Sequence, residues 1–189
     1  VHYSFPGLKV HSKLALITRK EKGRTSLYTY LSTGNFHEVT AKIYSDFGLF
    51  TANPKITREV ARVFNYLETQ KQPRTPFQHL LVGQFNLRPA LEKLIQHEIN
   101  AAKKGKKAQI ILKMNSLQDR KMISKLYKAS RAGVEIKMII RGICCLVPGV
   151  PGLSENIEII SIVDRFLEHA RIFVFHNDGE EKIYLSSAD

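Results

Sequence analysis

The sequence predicts an α/β fold, and two patterns lead to that prediction. Between residues 108 and 163, short apolar strands alternate with an amphipathic helix, the order typical of parallel strands joined by crossover connections. Between residues 8 and 32, two strand-like segments flank the polar stretch RKEKGR, which indicates a β-hairpin. With 189 residues, of which 43% are hydrophobic, the chain can bury one large core or two small ones.

The first 78 residues are predicted to contain the hairpin, one helix and a linker. The hairpin strands cover 8–18 and 26–32, and STGNF follows as a turn. Apolar residues at positions 56, 60, 63, 64 and 67 recur at helical spacing and predict a helix over 56–69. The stretch QKQPRTPFQ, residues 70–78, contains two prolines among polar residues and is the best candidate for a linker.

The rest of the chain is predicted to alternate helices and strands. A helix over 88–104 starts near Pro89, because proline suits a first helical turn. A second helix, over 118–131, ends before Gly133, a typical C-cap. The accompanying strands are AQIILKM, VEIKMIIRG and ENIEIISIV, the last of which follows a loop rich in proline and glycine at 147–152. We expect these strands to form a parallel sheet.

The chain is strongly basic, with a formal net charge of +12 and a pI near 9.8. This excess favours a polyanionic partner such as nucleic acid, an acidic membrane surface or a phosphate polymer, and it does not choose among them. No apolar run reaches the roughly 18 residues that a membrane span needs. The first residues also lack the layout of a signal peptide.

The cysteine content favours a reducing compartment. Cys144 and Cys145 are the two cysteines, and because they are adjacent a structural disulfide between them is not expected. A cytoplasmic setting fits best. The abrupt first residues VHYSF and last residues YLSSAD suggest a piece of a longer protein.

Two of the seven histidines lie in a repeated pattern. In KVHSKLALI, His11 precedes Lys13 by two residues, and STGN begins 21 residues after His11. In LEHARIFVF, His169 precedes Arg171 by two residues, and SSAD begins 17 residues after His169. Residues two apart on a strand point to the same face, so each histidine is expected to project together with its cation.

Such a pair is suited to phosphoryl chemistry. A neutral imidazole is a good nucleophile towards phosphorus, a nearby cation neutralises phosphoryl oxygens, and a second histidine can protonate an oxygen on the opposite side. The alternative is that each histidine is an ordinary surface or core residue. If the two act together, they should approach one cleft within about 15 Å of each other, which leaves room for a phosphate.

The paired motifs resemble the phospholipase D superfamily, and longer strings resemble a narrower group. The similarity is to bacterial polyphosphate kinases of the phosphohistidine-forming type, and it extends from residue 7 to residue 189. It rests on GLKVHSKLALI, YLSTGNFHEVTAKIYSDFGLFTA, IILKMNSLQD, IIRGICCLVPGVPGLSENI and SIVDRFLEHARI.

The resemblance implies two phospholipase D-like α/β domains, the first of them incomplete here. Residues 1–77 would form the second part of the first domain, and residues 78–189 would form most of the second. The implied reaction is reversible transfer of the terminal phosphate of ATP to inorganic polyphosphate through a phosphohistidine. ATP, ADP and polyphosphate would be the partners, with no nucleic acid. The full-length protein would be a homo-oligomer in the cytoplasm, and a peripheral membrane association is compatible with this.

The resemblance also implies roles for individual residues. His11 matches the phosphorylated histidine and His169 the second catalytic histidine. Tyr44, Arg141 and His169 match contacts to ATP. The phosphate-stabilising group would comprise Lys13, Asn35 and Arg171. Mg²⁺ is the implied cofactor, with ligands that precede residue 1 in the family pattern.

Two departures from the superfamily pattern keep the function open. An aspartate is expected five residues after each cation, but Thr18 and His176 stand there, and the second motif has arginine in place of lysine. The missing acid argues against a phosphodiesterase or nuclease, which remains the alternative enzyme. A nucleic-acid-binding module remains a third hypothesis, although no stacking platform or nucleic-acid motif appears.

Three other polar features could contact a phosphate. Arg141 is either a solvated strand end or a clamp for phosphate oxygens, which guanidinium binds bidentately. Lys113 and Asn115 lie where α/β sheets place ligands, just beyond a strand end. The stretch AAKKGKK, residues 101–107, is predicted to be a solvated helix end that attracts polyanions only diffusely.

Overall fold

A computed structural model describes residues 6–188. Over this range the chain forms the predicted α/β fold, with three groups of paired strands. The elements are, in chain order, β1 (Lys13–Glu21), β2 (Arg24–Ser32), α1 (Glu38–Ala41), β3 (Tyr44–Ser45), β4 (Gly48–Thr51), α2 (Pro54–Thr69), α3 (Leu87–Ala102), β5 (Gln109–Met114), α4 (Arg120–Arg131), β6 (Glu135–Ile140), β7 (Ile157–Ile160), β8 (Leu167–Glu168), β9 (Arg171–Phe175), a 3₁₀ turn (Asn177–Gly179) and β10 (Lys182–Ser186).

The predicted N-terminal hairpin is confirmed, with shifted strand ends. β1 begins at Lys13 and not at residue 8, so His11 lies before the strand. β1 also runs on to Glu21, and the turn shrinks from RKEKGR to Lys22 and Gly23, which have φ of 47° and 75°. Two consecutive residues with positive φ make a type I′ turn, whose twist matches the strands of a two-residue hairpin. β4 pairs with the other edge of β2, which gives the strand order β1-β2-β4.

The second half contains a five-stranded sheet of order β10-β9-β5-β6-β7. β5, β6 and β7 pair in parallel, as the alternation of strands and helices predicts. β9 joins β5 antiparallel and β10 joins β9 antiparallel, so the complete sheet is mixed. The helices α3 and α4 pack on it over a core that includes Ile110, Leu126, Val134, Ile136 and Phe175, each at most 1% exposed.

The weak sequence repeat corresponds to a repeat in three dimensions. β1 and β2 pair antiparallel with Lys13 opposite Ser32, and β9 and β10 pair antiparallel with Arg171 opposite Ser186. Each hairpin therefore begins with the cation of the His-x-Lys or His-x-Arg motif and ends at the small polar turn. The last residue of SSAD, at position 189, lies outside the described residues.

The helix predictions hold to within a few residues, and local capping explains their ends. The Asn53 side chain accepts a hydrogen bond from the Lys55 amide and starts α2 two residues earlier than predicted. The Asp119 side chain accepts from the Met122 amide and starts α4. Gly133, with a φ of 93°, follows the last turn of α4, where a left-handed residue is favoured. No helix in residues 6–188 is long and apolar enough to cross a membrane.

The predicted linker, residues 70–78, contains no helix or strand but is held tightly to α2. Glu59 is 4% exposed, and its carboxylate accepts hydrogen bonds of 2.8–3.0 Å from the amides of Gln78, His79 and Leu80. Burial raises the pKa of Glu59, but these three amides and the Arg62 cation outweigh it and lower the pKa below 4.5. The ionised carboxylate thus holds the segment in place.

Replacing Glu59 by alanine should therefore loosen the start of the second half. Three amides and Arg62 would lose a buried acceptor, which costs about 3–5 kcal/mol of local opening free energy. Hydrogen exchange of the amides at 78–80 in the full-length protein should accelerate roughly 10²–10⁴-fold. Because the folded pKa is lowered, protection should be complete above pH 4.5 and decline as the pH falls through the folded value.

Glu68→Ala is the matched control, since Glu68 lies on the exposed side of the same helix. We expect it to leave the exchange of residues 78–80 within about threefold of wild type. Equal acceleration in the two variants would mean that Glu59 is not what holds the segment.

Candidate active site

His11 lies just before β1, with its ring against the end of the second half of the chain. Its Nδ1 is 2.8 Å from the backbone carbonyl oxygen of Ser187, which follows β10. A carbonyl can only accept, so Nδ1 carries the proton and donates, and Nε2 keeps its lone pair. The Lys13 ammonium lies against the ring, 3.0 Å from Nδ1 and 3.1 Å from Nε2, and donates to the His11 carbonyl at 2.7 Å. The predicted pairing of His11 with Lys13 is confirmed, although β1 starts only at Lys13.

The surroundings of His11 favour its neutral form. Burial lowers the pKa of His11 below 6.5, and the cation of Lys13 lowers it further, with smaller contributions from Arg171 and Lys9. The hydrogen bond to the Ser187 carbonyl acts in the opposite direction without reversing the shift. Lys13 is itself 6% exposed. Its pKa is lowered by burial and by the nearby Arg171 cation, against which Asp46 acts in the opposite direction. A neutral, cation-flanked imidazole is suited to attack an anionic phosphoryl group.

The pH dependence of any reaction that starts with attack by His11 follows from this pKa. Protonation removes the nucleophile, so the reaction rate should fall as the pH is lowered. The midpoint of this fall, the acid limb of the pH–rate profile, should lie below pH 6.5. Lys13→Met removes one cause of the lowered pKa and should move the limb upward, towards but not beyond 6.5, because burial remains. The measurement is the initial rate of covalent phosphorylation of the full-length protein from about pH 5 to about pH 8. An unmoved limb in Lys13→Met would contradict the electrostatic argument.

His169 occupies the corresponding position in the second half, between β8 and β9. It is 6% exposed, and its Nδ1 lies 2.8 Å from Oδ1 of Asp46. A carboxylate in this position accepts a hydrogen bond from Nδ1–H, which keeps a proton on Nδ1. It also orients the ring so that Nε2 points away from the acid. The Tyr44 ring lies 4.8 Å from the imidazole, centroid to centroid, and Nη1 of Arg171 donates to the His169 carbonyl at 2.7 Å.

Asp46 is fastened by the STGN turn of the first half. The Thr33 hydroxyl donates to Oδ1 of Asp46 at 2.8 Å and accepts from the Phe47 amide at 2.9 Å. A Cβ at position 34 would come within 2.5 Å of Oδ2 of Asp46, so only glycine leaves room for the carboxylate. The turn that the sequence repeat identified therefore positions an acid that the sequence analysis missed.

Each histidine contacts the opposite half of the chain. His11, in the first half, bonds to Ser187 in the second, and His169, in the second, bonds to Asp46 in the first. β3 and β8 pair in parallel across the same boundary. The charges of Arg171 and Asp46 both act on Lys13, which joins the two groups of side chains into one cluster. These contacts place both histidines at the boundary between the two halves, and their action at one site stays a prediction.

Arg141 and Asn35 lie outside this cluster of contacts. Arg141 follows β6, and its Nε donates to Oδ1 of Asn115 at 2.8 Å, while its terminal nitrogens have no partner within residues 6–188. The Asn35 side chain is exposed and makes no hydrogen bond in that range. Lys113 contacts Glu168 and the Ala170 carbonyl, so its ammonium is already engaged with protein groups and the prediction that it holds a ligand is not supported.

The expectation that no acid orients a catalytic histidine is wrong. Thr18 faces outward on β1, and His176 follows β9, so neither replaces the acid of the superfamily pattern. Asp46 instead reaches His169 across the boundary from 123 residues away in the sequence. The sequence contained a pattern that could have identified Asp46. Tyr44 and Asp46 are two residues apart in an extended segment, which is the same spacing that pairs His11 with Lys13.

No group of three or more histidine, cysteine, aspartate or glutamate side chains could hold a metal ion within the described range 6–188. One oxygen of Asp46 is already used by two protein partners. These residues therefore do not fit a magnesium site. The thiols of Cys144 and Cys145 are free.

Comparison with known proteins identifies the family. The family described as polyphosphate kinase C-terminal domain 2 matches residues 80–189, and polyphosphate kinase C-terminal domain 1 matches residues 1–73. This chain belongs to the polyphosphate kinase family. Its fold is that of the C-terminal domains of polyphosphate kinases, which are phospholipase D-like, so the predicted fold class is confirmed.

Individual polyphosphate kinases are similar over the whole chain. The polyphosphate kinases of Vibrio cholerae and Escherichia coli K12 are 55% and 48% identical to it over 189 residues. In both, the match covers 100% of this chain and 27% of the relative, so the chain spans about a quarter of the length of these curated relatives. The crystal structure of polyphosphate kinase from Porphyromonas gingivalis superposes with a TM-score of 0.90 at 50% identity, covering 99% of this chain and 31% of that one.

Proposed function

We propose that this chain is the catalytic part of an enzyme that transfers the terminal phosphate of ATP to inorganic polyphosphate, reversibly, through a phosphohistidine on His11. The observation that carries the proposal is the pair of histidines at one boundary. His11 has its Nδ1 on a neutral carbonyl and cations around it, whereas His169 has its Nδ1 on a carboxylate. One ring is suited to attack, and the other is held to act on the opposite side.

The chemistry proceeds in two balanced steps. Nε2 of His11 attacks the terminal phosphorus of ATP, the bridging phosphorus–oxygen bond breaks, and ADP leaves with its electron pair. A terminal oxygen of polyphosphate then attacks the phosphorus, the phosphorus–nitrogen bond breaks, and its electrons return to the imidazole. Lys13 and Arg171 neutralise charge on the phosphoryl oxygens, and Asn35 donates a hydrogen bond to them.

His169 assists transfer from the side opposite His11. Its Nε2 faces away from Asp46 and is free to hydrogen-bond or protonate an oxygen of the reacting group. Tyr44 lies against the His169 ring and is in position to contact the nucleotide phosphates. Arg141 offers its terminal guanidinium nitrogens to a phosphate at the end of β6.

The remaining features of the proposal concern the whole protein. Residues 1–77 form the second part of one catalytic domain and residues 78–189 most of another, which fits family matches that end at 73 and resume at 80. Magnesium, with ligands elsewhere in the full-length protein, would supply charge neutralisation on the ATP phosphates. The partners are ATP, ADP and polyphosphate, not nucleic acid. The full-length enzyme is a homo-oligomer in the cytoplasm, with peripheral membrane association compatible with its basic charge.

A phospholipase D-like phosphodiesterase or nuclease is the alternative, and the comparisons do not favour it. The relatives at about 50% identity over the whole chain are named polyphosphate kinases. The two activities differ in the acceptor of the phosphoryl group, which is water or an alcohol in the alternative.

The test is incubation of the full-length enzyme with ATP radiolabelled in its terminal phosphate. We expect a covalent label on protein that survives alkali, is lost in acid, as a phosphohistidine is, and is discharged by added polyphosphate. A phosphodiesterase would leave no such label from ATP. Absence of label, or label that polyphosphate does not discharge, would overturn the proposal.

Arg141→Lys tests the proposed phosphate contact. Lysine keeps the charge but loses the planar two-pronged geometry, so kcat for polyphosphate synthesis should fall by about tenfold or more. The control replaces Lys103 and Lys104, exposed residues after α3, by alanine, which should change mainly the salt dependence of the rate. The measurement is synthesis by the full-length variants at low and moderate salt. Wild-type behaviour of Arg141→Lys at both would make Arg141 a structural strand end.

A further inference from the structure

We propose that Lys113 is a positioning residue that sets the place of His169 by clamping the residues on either side of it. The inference rests on the proposed function, because its consequence is a slower phosphoryl transfer. Lys113 lies near the end of β5, the strand that pairs with β9. Its ammonium contacts the Glu168 carboxylate at 3.0 Å and donates to the Ala170 carbonyl at 2.9 Å.

The clamp is buried and specific. The Lys113 side chain is 13% exposed, and Ala170 is 1% exposed. A shielded ammonium without its partners would be costly, so the two contacts are maintained together. They grip the chain immediately before and immediately after His169. The residue between them can then shift only if the clamp opens.

The clamp also completes the attachment of the His169 segment. On the side of the first half, the carbonyl of Ser45 accepts from the amides of His169 and Ala170 at 3.3 Å, and Asp46 holds the ring. On the side of the second half, Lys113 provides the side-chain attachment from β5. His169 is thus held between the two halves of the chain. The Lys113 clamp fixes how far the His169 side chain extends towards the first half.

Positioning of this kind affects rate more than binding. A displacement of about 1 Å at a reacting group costs up to about 10²-fold in rate, while substrate contacts made by other residues persist. Lys113→Met in the full-length enzyme should therefore slow transfer from phosphorylated His11 to polyphosphate by roughly 10–10²-fold. KM for ATP should change by less than about threefold.

The test is a double-mutant cycle with His169, measured as single-turnover discharge of the radiolabelled phosphoenzyme. If Lys113 acts through His169, then Lys113→Met should cost less than about twofold when His169 is already alanine. Lys113→Arg, which can still reach a carboxylate and a carbonyl, should recover most of the wild-type rate. An equal loss from Lys113→Met in both backgrounds would overturn the proposal, because Lys113 would then act independently of His169.

Two further variants separate this effect from general damage. Lys137→Met removes an exposed lysine on the neighbouring β6 that pairs with Glu135 at 2.8 Å, and it should leave the transfer rate unchanged. Glu168→Gln removes the charge of one clamp partner at constant shape and should give a smaller loss that also vanishes in His169→Ala. If Lys113→Met fails to fold, the cycle with Glu168→Gln decides the question, and a loss that persists without His169 overturns the proposal.

The proposed function is tested separately by the wild-type enzyme. Label on wild-type His11 that polyphosphate discharges supports the function whatever the Lys113 variants do. If the wild-type enzyme carries no such label, the proposed function fails and the inference fails with it.

Discussion

Replacing His11 by alanine in the full-length enzyme should abolish the phosphoenzyme, with labelling from ATP below about 10⁻³ of wild type. A missing general acid can be replaced in part by water, but a missing nucleophile leaves no atom to carry the phosphoryl group. The Ser187 carbonyl fixes Nδ1 as the donor, so Nε2 is the atom whose loss matters. The measurement is radiolabel retained on protein after an alkaline quench.

His79→Ala is the matched control for this experiment. His79 lines the same cavity as His11, about 630 Å³ in volume, and is exposed as His11 is, but within residues 6–188 no cation is paired with it. It should label as wild type does. Equal labelling of wild type and His11→Ala would show that His11 is not the nucleophile. The neighbouring cation, Lys13, would then serve only as a contact for polyphosphate.

The local chemistry of the site could be predicted because it lies within short stretches of sequence. His11 and Lys13, like His169 and Arg171, are two residues apart, and that spacing brought the right side chains together even where the strand boundary was wrong. The repeat of motif, hairpin and small polar turn that the sequence indicates is also present in the structure, because the hairpin register follows from the turn that joins its strands.

The parts that could not be predicted are contacts between the two halves. Asp46 reaches His169 and Ser187 reaches His11 across sequence separations of 123 and 176 residues, where no periodicity carries information. β3 and β8 are two residues long, too short to leave a pattern of alternation. Only the folded chain brings these segments together, and they are the ones that orient both histidines.

The same difference explains what the local pattern missed at Lys113 and in the segment 70–78. Lys113 lies where an α/β sheet presents ligand-binding residues, but β9 joins β5 antiparallel and brings Glu168 and Ala170 to that position first. The segment 70–78 has the composition of a flexible linker, but the buried Glu59 carboxylate orders its end. In both places a long-range partner overrides the local pattern.

Replacing His169 by alanine should slow phosphoryl transfer by roughly 10²–10⁴-fold, the usual contribution of a positioned acid–base group. ATP binding should change far less, because the proposed contacts from Tyr44 and Arg141 remain. Asp46→Asn should come close to the same loss. Asparagine keeps the shape of the side chain but carries no negative charge, so it no longer stabilises the doubly protonated imidazole that donates a proton from Nε2. The measurement for both is single-turnover discharge of the phosphoenzyme by polyphosphate.

The combination of the two changes decides whether Asp46 acts through His169. Because Asp46 touches the imidazole directly, the double variant should be no slower than His169→Ala alone. Thr33→Val provides a graded control, since it removes one hydrogen bond to Asp46 and leaves the carboxylate, and it should cost less than Asp46→Asn. If Asp46→Asn transfers phosphate at the wild-type rate, the contact only joins the halves. If instead the losses multiply in the double variant, Asp46 meets the substrate itself, and His169 must be oriented by the remaining groups around it, Tyr44 and the backbone that Lys113 clamps.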